Sequence, residues 1–308
     1  MINFVIHPGY VKTGSTFFQK KIIPHLENTL NLGKPYNSSN VLQENIKNLF
    51  YKKSNKKKKL LLIDDISQVI LTSIKVNKLN TIVFSDEAFL DGEFYDPKKN
   101  IYYLNILIKK LRKKEKINIK FVLTIRAQLN LIISRFAFIY PNIKVANPTL
   151  TDYINNNIKN KSFFFNSLKF LEFKKYIQKK INCKFYFIPL ETLENNKKKY
   201  LQNIKKIFSK NIKINKIKFL KINTNSKNSI FYIKKGNNWF HLYLIIRNIK
   251  FLLPIKFTSI FKKFFSKKIK FDKSEILIKH NKYTTDRIYK YYNKDNKSLL
   301  KKFKINYL

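Results

Sequence analysis

Residues 3–19 read Asn3-Phe4-Val5-Ile6-His7-Pro8-Gly9-Tyr10-Val11-Lys12-Thr13-Gly14-Ser15-Thr16-Phe17-Phe18-Gln19. The apolar run Phe4-Val5-Ile6 has the character of a buried strand. It gives way to a loop flanked by Gly9 and Gly14 that carries Lys12 and the hydroxyls of Thr13, Ser15 and Thr16, and the pattern then turns helical. A strand, a glycine-flanked loop and a helix together make a phosphate cradle. Backbone N–H groups of the loop and the positive end of the helix converge on one anionic group. Lys12 adds a mobile charge, and Thr13, Ser15 and Thr16 add short donors.

The loop differs from a nucleoside-triphosphate P-loop, in which Lys directly follows the last Gly and Ser or Thr comes next. Here Lys12 precedes Gly14, and Ser15 and Thr16 follow it. The string instead resembles the 5′-phosphosulfate loop of sulfotransferases, Pro-Lys-Thr/Ser-Gly-Thr-Thr. Residues 7–19 are also similar to the His-x-Gly-x-x-Lys-Thr-Gly-Thr-Thr-x-x-Gln start of many bacterial carbohydrate-type sulfotransferases. Val11 stands where that family usually has Pro, and Val can adopt the same extended backbone.

Two further segments follow in the order the resemblance requires. In Phe121-Val122-Leu123-Thr124-Ile125-Arg126-Ala127-Gln128, a buried strand delivers Arg126 at its carboxyl end, and Ser134 comes eight positions later on the next helix. Strand ends are where open α/β sheets bind ligands, and Arg presents a fork matched to phosphate. Read by itself, this is more often an Arg capping a helix and a Ser packed within it, since such pairs are common at surfaces. The segment resembles the sulfotransferase element that holds the cofactor's 3′-phosphate, with Gln128 where the family often has Pro. In Ile82-Val83-Phe84-Ser85-Asp86-Glu87-Ala88, a short apolar strand ends in two carboxylates. By resemblance Glu87 is the general base that deprotonates the acceptor hydroxyl. Nearby bound anions would raise its pKa and improve it as a base. Acids at a helix start also serve simply as caps; Asp86 is the weaker candidate and His7 a second candidate base.

Weaker echoes are Leu190-Glu191-Thr192-Leu193, similar to the family's Tyr-Glu-x-Leu, and the 292–300 run, similar to its closing Asn-x-x-Leu helix. Lys235-Gly236 is only faintly similar to a phosphate-clamping step.

The resemblance implies an α/β fold with a central, mainly parallel sheet flanked by helices. It also implies transfer of a sulfuryl group from 3′-phosphoadenosine 5′-phosphosulfate to a hydroxyl of a glycan, glycolipid or related acceptor. Lys12, Thr13, Gly14, Ser15 and Thr16 would hold the 5′-phosphosulfate, Arg126 and Ser134 the 3′-phosphate, and Lys12 and Glu87 would act in catalysis, with no metal. The product nucleotide would be adenosine 3′,5′-bisphosphate. Other readings are a P-loop kinase or NTPase, a basic binding protein for nucleic acid or an anionic surface, and a family member that binds nucleotide without turnover.

Composition narrows these. The 308 residues carry a formal charge of +46, with Lys+Arg 64 against Asp+Glu 18. Such a charge favours anionic partners. The cations are nearly all Lys, Arg appears only at 112, 126, 135, 247 and 287, and Gly and Pro are scarce. This is the usage expected of a very AT-rich genome. A dedicated nucleic-acid reader would be expected to use more Arg, so no specific nucleic-acid partner is expected, while peripheral contact with a membrane stays compatible. The lone Cys183 excludes an internal disulfide, and His7, His25, His241 and His280 lack metal-ligand spacing. Neither a signal peptide nor a membrane span is expected, which points to the cytoplasm. One domain is expected, with an α/β core over 1–210 and a helical, basic part over 211–308.

The periodicities predict strands at 2–7, 81–84, 119–125 and 184–188. They predict helices at 16–30, 41–49, 60–75, 101–113, 127–138, 148–157, 163–180 and 193–209, with a solvated Lys loop at 56–59 and a helical stretch within 239–265. Residues 140–180 and 210–265, with Phe163, Phe164, Phe165, Trp239 and Phe240, are the expected acceptor pocket.

Overall fold

The apolar runs do form strands: β1 (Ile2–His7), β2 (Thr29–Asn31), β3 (Thr81–Ser85), β4 (Ile117–Ile125) and β5 (Lys184–Pro189). In the computed structural model they make one sheet in the order β2-β3-β1-β4-β5, and every pairing is parallel. The structure describes residues 1–10, 12–37, 39–92, 95–143, 149–208, 212, 217, 232–236, 271–277 and 281–307. The chain divides into two compact units. The first comprises Met1–Leu131, Asn160–Asn223 and Ile288–Leu308 and holds the whole parallel sheet; the second comprises Ile132–Lys159 and Thr224–Arg287.

A parallel sheet is buried on both faces, so its strands read as continuous apolar runs. On one face Val5, Val83 and Val122 pack with Phe17, Phe18, Tyr200 and Ile204. On the other, Phe50 of α2 (Val41–Tyr51) lies 5.2 Å from the ring of Phe84. There too Phe173 of α8 (Phe170–Lys180) lies 6.5 Å from Phe121. The remaining helices are α1 (Ser15–Phe17), α3 (Lys56–Val76), α4 (Pro97–Arg112), α5 (Gln128–Ile143), α6 (Leu150–Lys159), α7 (Phe163–Ser167), α9 (Leu190–Asn195), α10 (Lys197–Phe208) and α11 (Lys282–Phe303). In the second unit, β6 (Tyr232–Gly236) and β7 (Phe271–Leu277) pair antiparallel.

Chain order fixes where a ligand can sit. The connection after β1 runs toward β2 and that after β4 toward β5, on opposite sides of the sheet. Such a divergence opens a crevice beyond the carboxyl ends of the strands, and the 8–14 loop and Arg126 both lie at those ends.

Three expectations change. The helix predicted over 16–30 is short: α1 passes into a π-turn at Phe18–Ile22 and a 3-10 turn at Ile23–His25, and Thr29–Asn31 is strand. Pro24 lacks an N–H and cannot continue the helical ladder. The Lys run at 56–59 is the first turn of α3, capped by Asn55, whose Oδ1 accepts from Lys58 N–H at 2.9 Å. Lys59 is buried there, and its ammonium donates to the carbonyls of Asn48 and Leu49 at the carboxyl end of α2, where the dipole favours a cation. The single helices predicted at 163–180 and 193–209 are each two, α7 with α8 and α9 with α10. A second buried lysine, Lys120 on β4, donates to the carbonyl of Ile207. The 239–265 stretch lies outside the described residues.

Candidate functional site

The loop after β1 is held by its own side chains. Thr13 is buried; its hydroxyl donates to the Tyr10 carbonyl at 2.7 Å and accepts from the Tyr10 N–H at 3.2 Å. The donor expected from Thr13 is therefore spent in closing the turn, while the Tyr10 hydroxyl anchors the loop to the carbonyl of Ser167 at 2.8 Å. Lys12 and Gly14 adopt left-handed backbone, with φ of 71° and 79°. A Cβ on Gly14 would meet Leu190 Cδ1 at 2.7 Å, so the loop presses against the start of α9. Gly14 caps α1 without a side-chain hydrogen bond. No acceptor among the described residues pairs the N–H groups of Gly14, Ser15 or Thr16. Lys12 and Thr16 are exposed and Ser15 is buried.

The ends of β1, β3 and β4 are stitched by one imidazole. His7 is fully buried and stacks on Phe18 at 3.9 Å. Its Nδ1 bonds Ser85 Oγ and its Nε2 bonds Thr124 Oγ1, both at 2.8 Å. Burial pushes its pKa down to about 3 against a smaller opposing pull from Glu87, so the ring is neutral. With both nitrogens engaged, His7 serves as a bracket across three strands, and no lone pair faces an incoming hydroxyl.

The two carboxylates after β3 differ sharply. Asp86 is fully buried. Its Oδ1 accepts from Ala88 N–H at 3.0 Å and pairs with Lys34 Nζ at 3.2 Å. Its Oδ2 accepts from the hydroxyls of Tyr36 and Tyr51, each at 2.6 Å. Burial first, then the negative charge of Asp86, raises both tyrosine pKa values, so both remain donors. Glu87 keeps 23% of its side chain exposed. Its Oε1 accepts from Lys34 Nζ at 2.9 Å and its Oε2 from Gln19 Nε2 at 2.8 Å. Burial pushes the Glu87 pKa up, but the bonds from Lys34 and Gln19 outweigh it and hold the carboxyl below its usual range. A cation and an amide thus stabilise the charged form, so in the protein by itself Glu87 starts from a lowered pKa, against which any rise caused by a bound anion would act.

The end of β4 has the opposite character. Arg126 is half-buried and makes no hydrogen bond or ion pair among the described residues. Its neighbour Ala127 donates its N–H to Glu191 Oε1 at 3.0 Å, and Tyr307 donates to Glu191 Oε2 at 2.9 Å. Gln128, where the family often has Pro, is buried and bonds Asn296 of α11 reciprocally at 2.7 and 3.3 Å. A cleft of 590 Å³ opens beside this point, lined by Ala127, Asn130, Glu191, Thr192, Tyr289 and Asn306 among others.

The structure thus gathers Lys12, Thr13, Gly14, Ser15, Thr16, Glu87 and Arg126 along the carboxyl edge of one sheet. Ser134 is buried in the part of α5 assigned to the second unit. Of the expected acceptor pocket, Phe164 and Phe165 are core, and Trp239 and Phe240 lie outside the described residues. Lys34, Tyr36 and Tyr51 were invisible to motif reading, since no local pattern ties them to Asp86. The one available clue was Gly33 before Lys34: a Cβ on Gly33 would stand 2.4 Å from the Ser85 backbone, so only Gly lets the chain approach there. Among the described residues no helix is long and apolar enough to cross a membrane, and no cluster of three or more His, Cys, Asp or Glu is placed to hold a metal ion. Comparison with protein-family models, with curated proteins and with solved structures gave no match.

Proposed function

We propose that this chain is a sulfotransferase that binds 3′-phosphoadenosine 5′-phosphosulfate and sulfates a hydroxyl of a glycan, glycolipid or related acceptor in the cytoplasm. One observation carries the reading. At the crevice between β1 and β4, the N–H groups of Gly14, Ser15 and Thr16 and the guanidinium of Arg126 have no acceptor among the described residues, while both oxygens of Asp86 and of Glu87 already accept hydrogen bonds. Spare donors at adjacent strand ends fit a ligand with two separate anionic groups. The nucleotide supplies the sulfuryl group. Lys12 and the loop amides neutralise charge that builds on the transferred group and on the departing phosphate. Arg126 holds the 3′-phosphate. Glu87, ionised at neutral pH, accepts the acceptor's proton through a lone pair that Lys34 and Gln19 leave open.

The kinase reading is weaker because Asp86, the acid that would anchor magnesium, already carries four hydrogen-bonding partners. The test is a thermal-shift titration with adenosine 3′,5′-bisphosphate, 5′-AMP and ATP–magnesium, since a ligand of the native state raises apparent stability. Stabilisation specific to the bisphosphate, lost in Arg126→Ala, is the expected result. Equal responses to all three would mean indiscriminate anion binding by a basic surface, and a response to ATP–magnesium alone would establish a kinase.

A further inference from the structure

Glu87 is held by a device built from three separate segments. The chain after β2 continues along β3 through Leu32 N–H to Val83 O and Lys34 N–H to Ser85 O, both 2.8 Å. Gly33 permits that approach, its α-carbon packed where any side chain would strike the Ser85 backbone. Lys34 is thereby delivered to the end of β3 and bridges Asp86 at 3.2 Å and Glu87 at 2.9 Å. Asp86 is itself clamped by Tyr36, Tyr51 and the Ala88 N–H, so Lys34 is tied to a fixed post. On the far side Gln19 reaches Glu87 at 2.8 Å and Ser85 Oγ at 3.4 Å, joining the carboxylate to the His7 bracket.

We propose that Lys34 is a positioning residue for Glu87: braced on Asp86, it fixes one carboxylate oxygen while Gln19 fixes the other, aiming the remaining lone pairs at the acceptor hydroxyl. The inference rests on the sulfotransferase reading, in which Glu87 takes that proton. Each carboxylate oxygen offers about two lone pairs, so single bonds from Lys34 and Gln19 leave room for the acceptor. The titratable groups around Glu87 are the charged Lys34 and Asp86 and the neutral His7 and Tyr36. Lys34 is the cation among them. Removing it leaves Glu87 beside Asp86 with no compensating charge, and the proton affinity of Glu87 rises. A base whose orientation is lost reacts more slowly even as it becomes more basic, because geometry precedes pKa in proton transfer.

The experiment uses the full chain with glutamate carboxyls labelled with ¹³C, the Glu87 resonance being assigned by its loss in Glu87→Gln. Wild type, Lys34→Met and Lys34→Arg are titrated by NMR, and their sulfuryl-transfer pH profiles are recorded with a panel of sugar acceptors. In wild type the Glu87 midpoint should lie below the ordinary glutamate range. In Lys34→Met it should rise toward that range, the acid limb of turnover should move with it, and kcat should fall by roughly 10- to 100-fold. KM for the nucleotide should not change, and Lys34→Arg should restore most of the rate. A Glu87 midpoint indifferent to Lys34→Met overturns the proposal, as does a shifted midpoint with an unchanged acid limb and kcat. Failure of adenosine 3′,5′-bisphosphate to stabilise the wild type sinks the sulfotransferase reading instead, a result independent of the Glu87 titration. If Lys34→Met does not fold, Gln19→Leu removes the opposite bond and should lower kcat in the same way; an unaltered kcat there also counts against the device.

Discussion

The two halves of the sheet's carboxyl edge are built on opposite principles. At the ends of β3 and β1, polar groups are closed on one another: Thr124 to His7 to Ser85 to Gln19 to Glu87 to Lys34 to Asp86 to the two tyrosines. At the end of β4, Arg126 makes no hydrogen bond or ion pair among the described residues, and the N–H groups of Gly14, Ser15 and Thr16 likewise meet no acceptor there. Buried polar groups gain stability only when satisfied. The closed half therefore belongs to the fold and fixes geometry, and under the proposed function the open half holds its donors in reserve for the nucleotide.

Substitutions can break this contrast. The largest effect belongs to Asp86→Ala, which strands two tyrosyl hydroxyls and leaves Lys34 with Glu87 alone around a vacated, fully buried position. Removing one partner of a buried ionic cluster costs about 3–5 kcal/mol, to be read as a lowered urea midpoint. The next comes from His7. Its native pKa is depressed to about 3 from an ordinary 6.5, so as pH falls the unfolded chain takes up the proton first. Stability is full above 6.5 and drains as pH falls toward 3, at about 1.4 kcal/mol per pH unit. Unfolding at pH 6.5 and pH 5 should thus differ by about 2 kcal/mol, and in His7→Gln that portion of the difference should vanish. Glu87, also depressed, adds its loss in the same direction at lower pH. The smallest effect on the fold is that of Arg126→Ala, under about 0.5 kcal/mol for a half-exposed side chain that makes no hydrogen bond or ion pair among the described residues, measured by the same urea curves. A large loss there would show that Arg126 belongs to the closed half after all.

What sequence could show follows from how far apart the cooperating residues lie. The strand and glycine-flanked loop at the amino end were legible because they fall within seventeen residues, β3 and β4 because a two-faced burial leaves apolar runs, and the half-buried edge strand β5 through its run of aromatic residues. β2 was not, since three residues carry no period and Pro24 hides inside an apparently helical stretch. The state of Glu87 was not legible either. Its sign is set by Lys34, fifty-three positions away, and by Gln19, sixty-eight away, and nothing local announces them. Nor was the commitment of Thr13, because a hydroxyl that closes its own turn and one that awaits a ligand have the same letter.

Lysine covers this protein, yet Lys59 and Lys120 are almost wholly withdrawn from water, each with its ammonium on backbone carbonyls and its pKa lowered by burial. An amine-reactive reagent will modify the exposed lysines at once and reach these two only when the chain opens. One sits where α2 meets α3 and the other where β4 meets α10, so their acylation, followed by mass spectrometry, separately times the loosening of each layer of the first unit. A composition that obscures the charge signature of function thereby supplies two built-in clocks for the fold's own breathing.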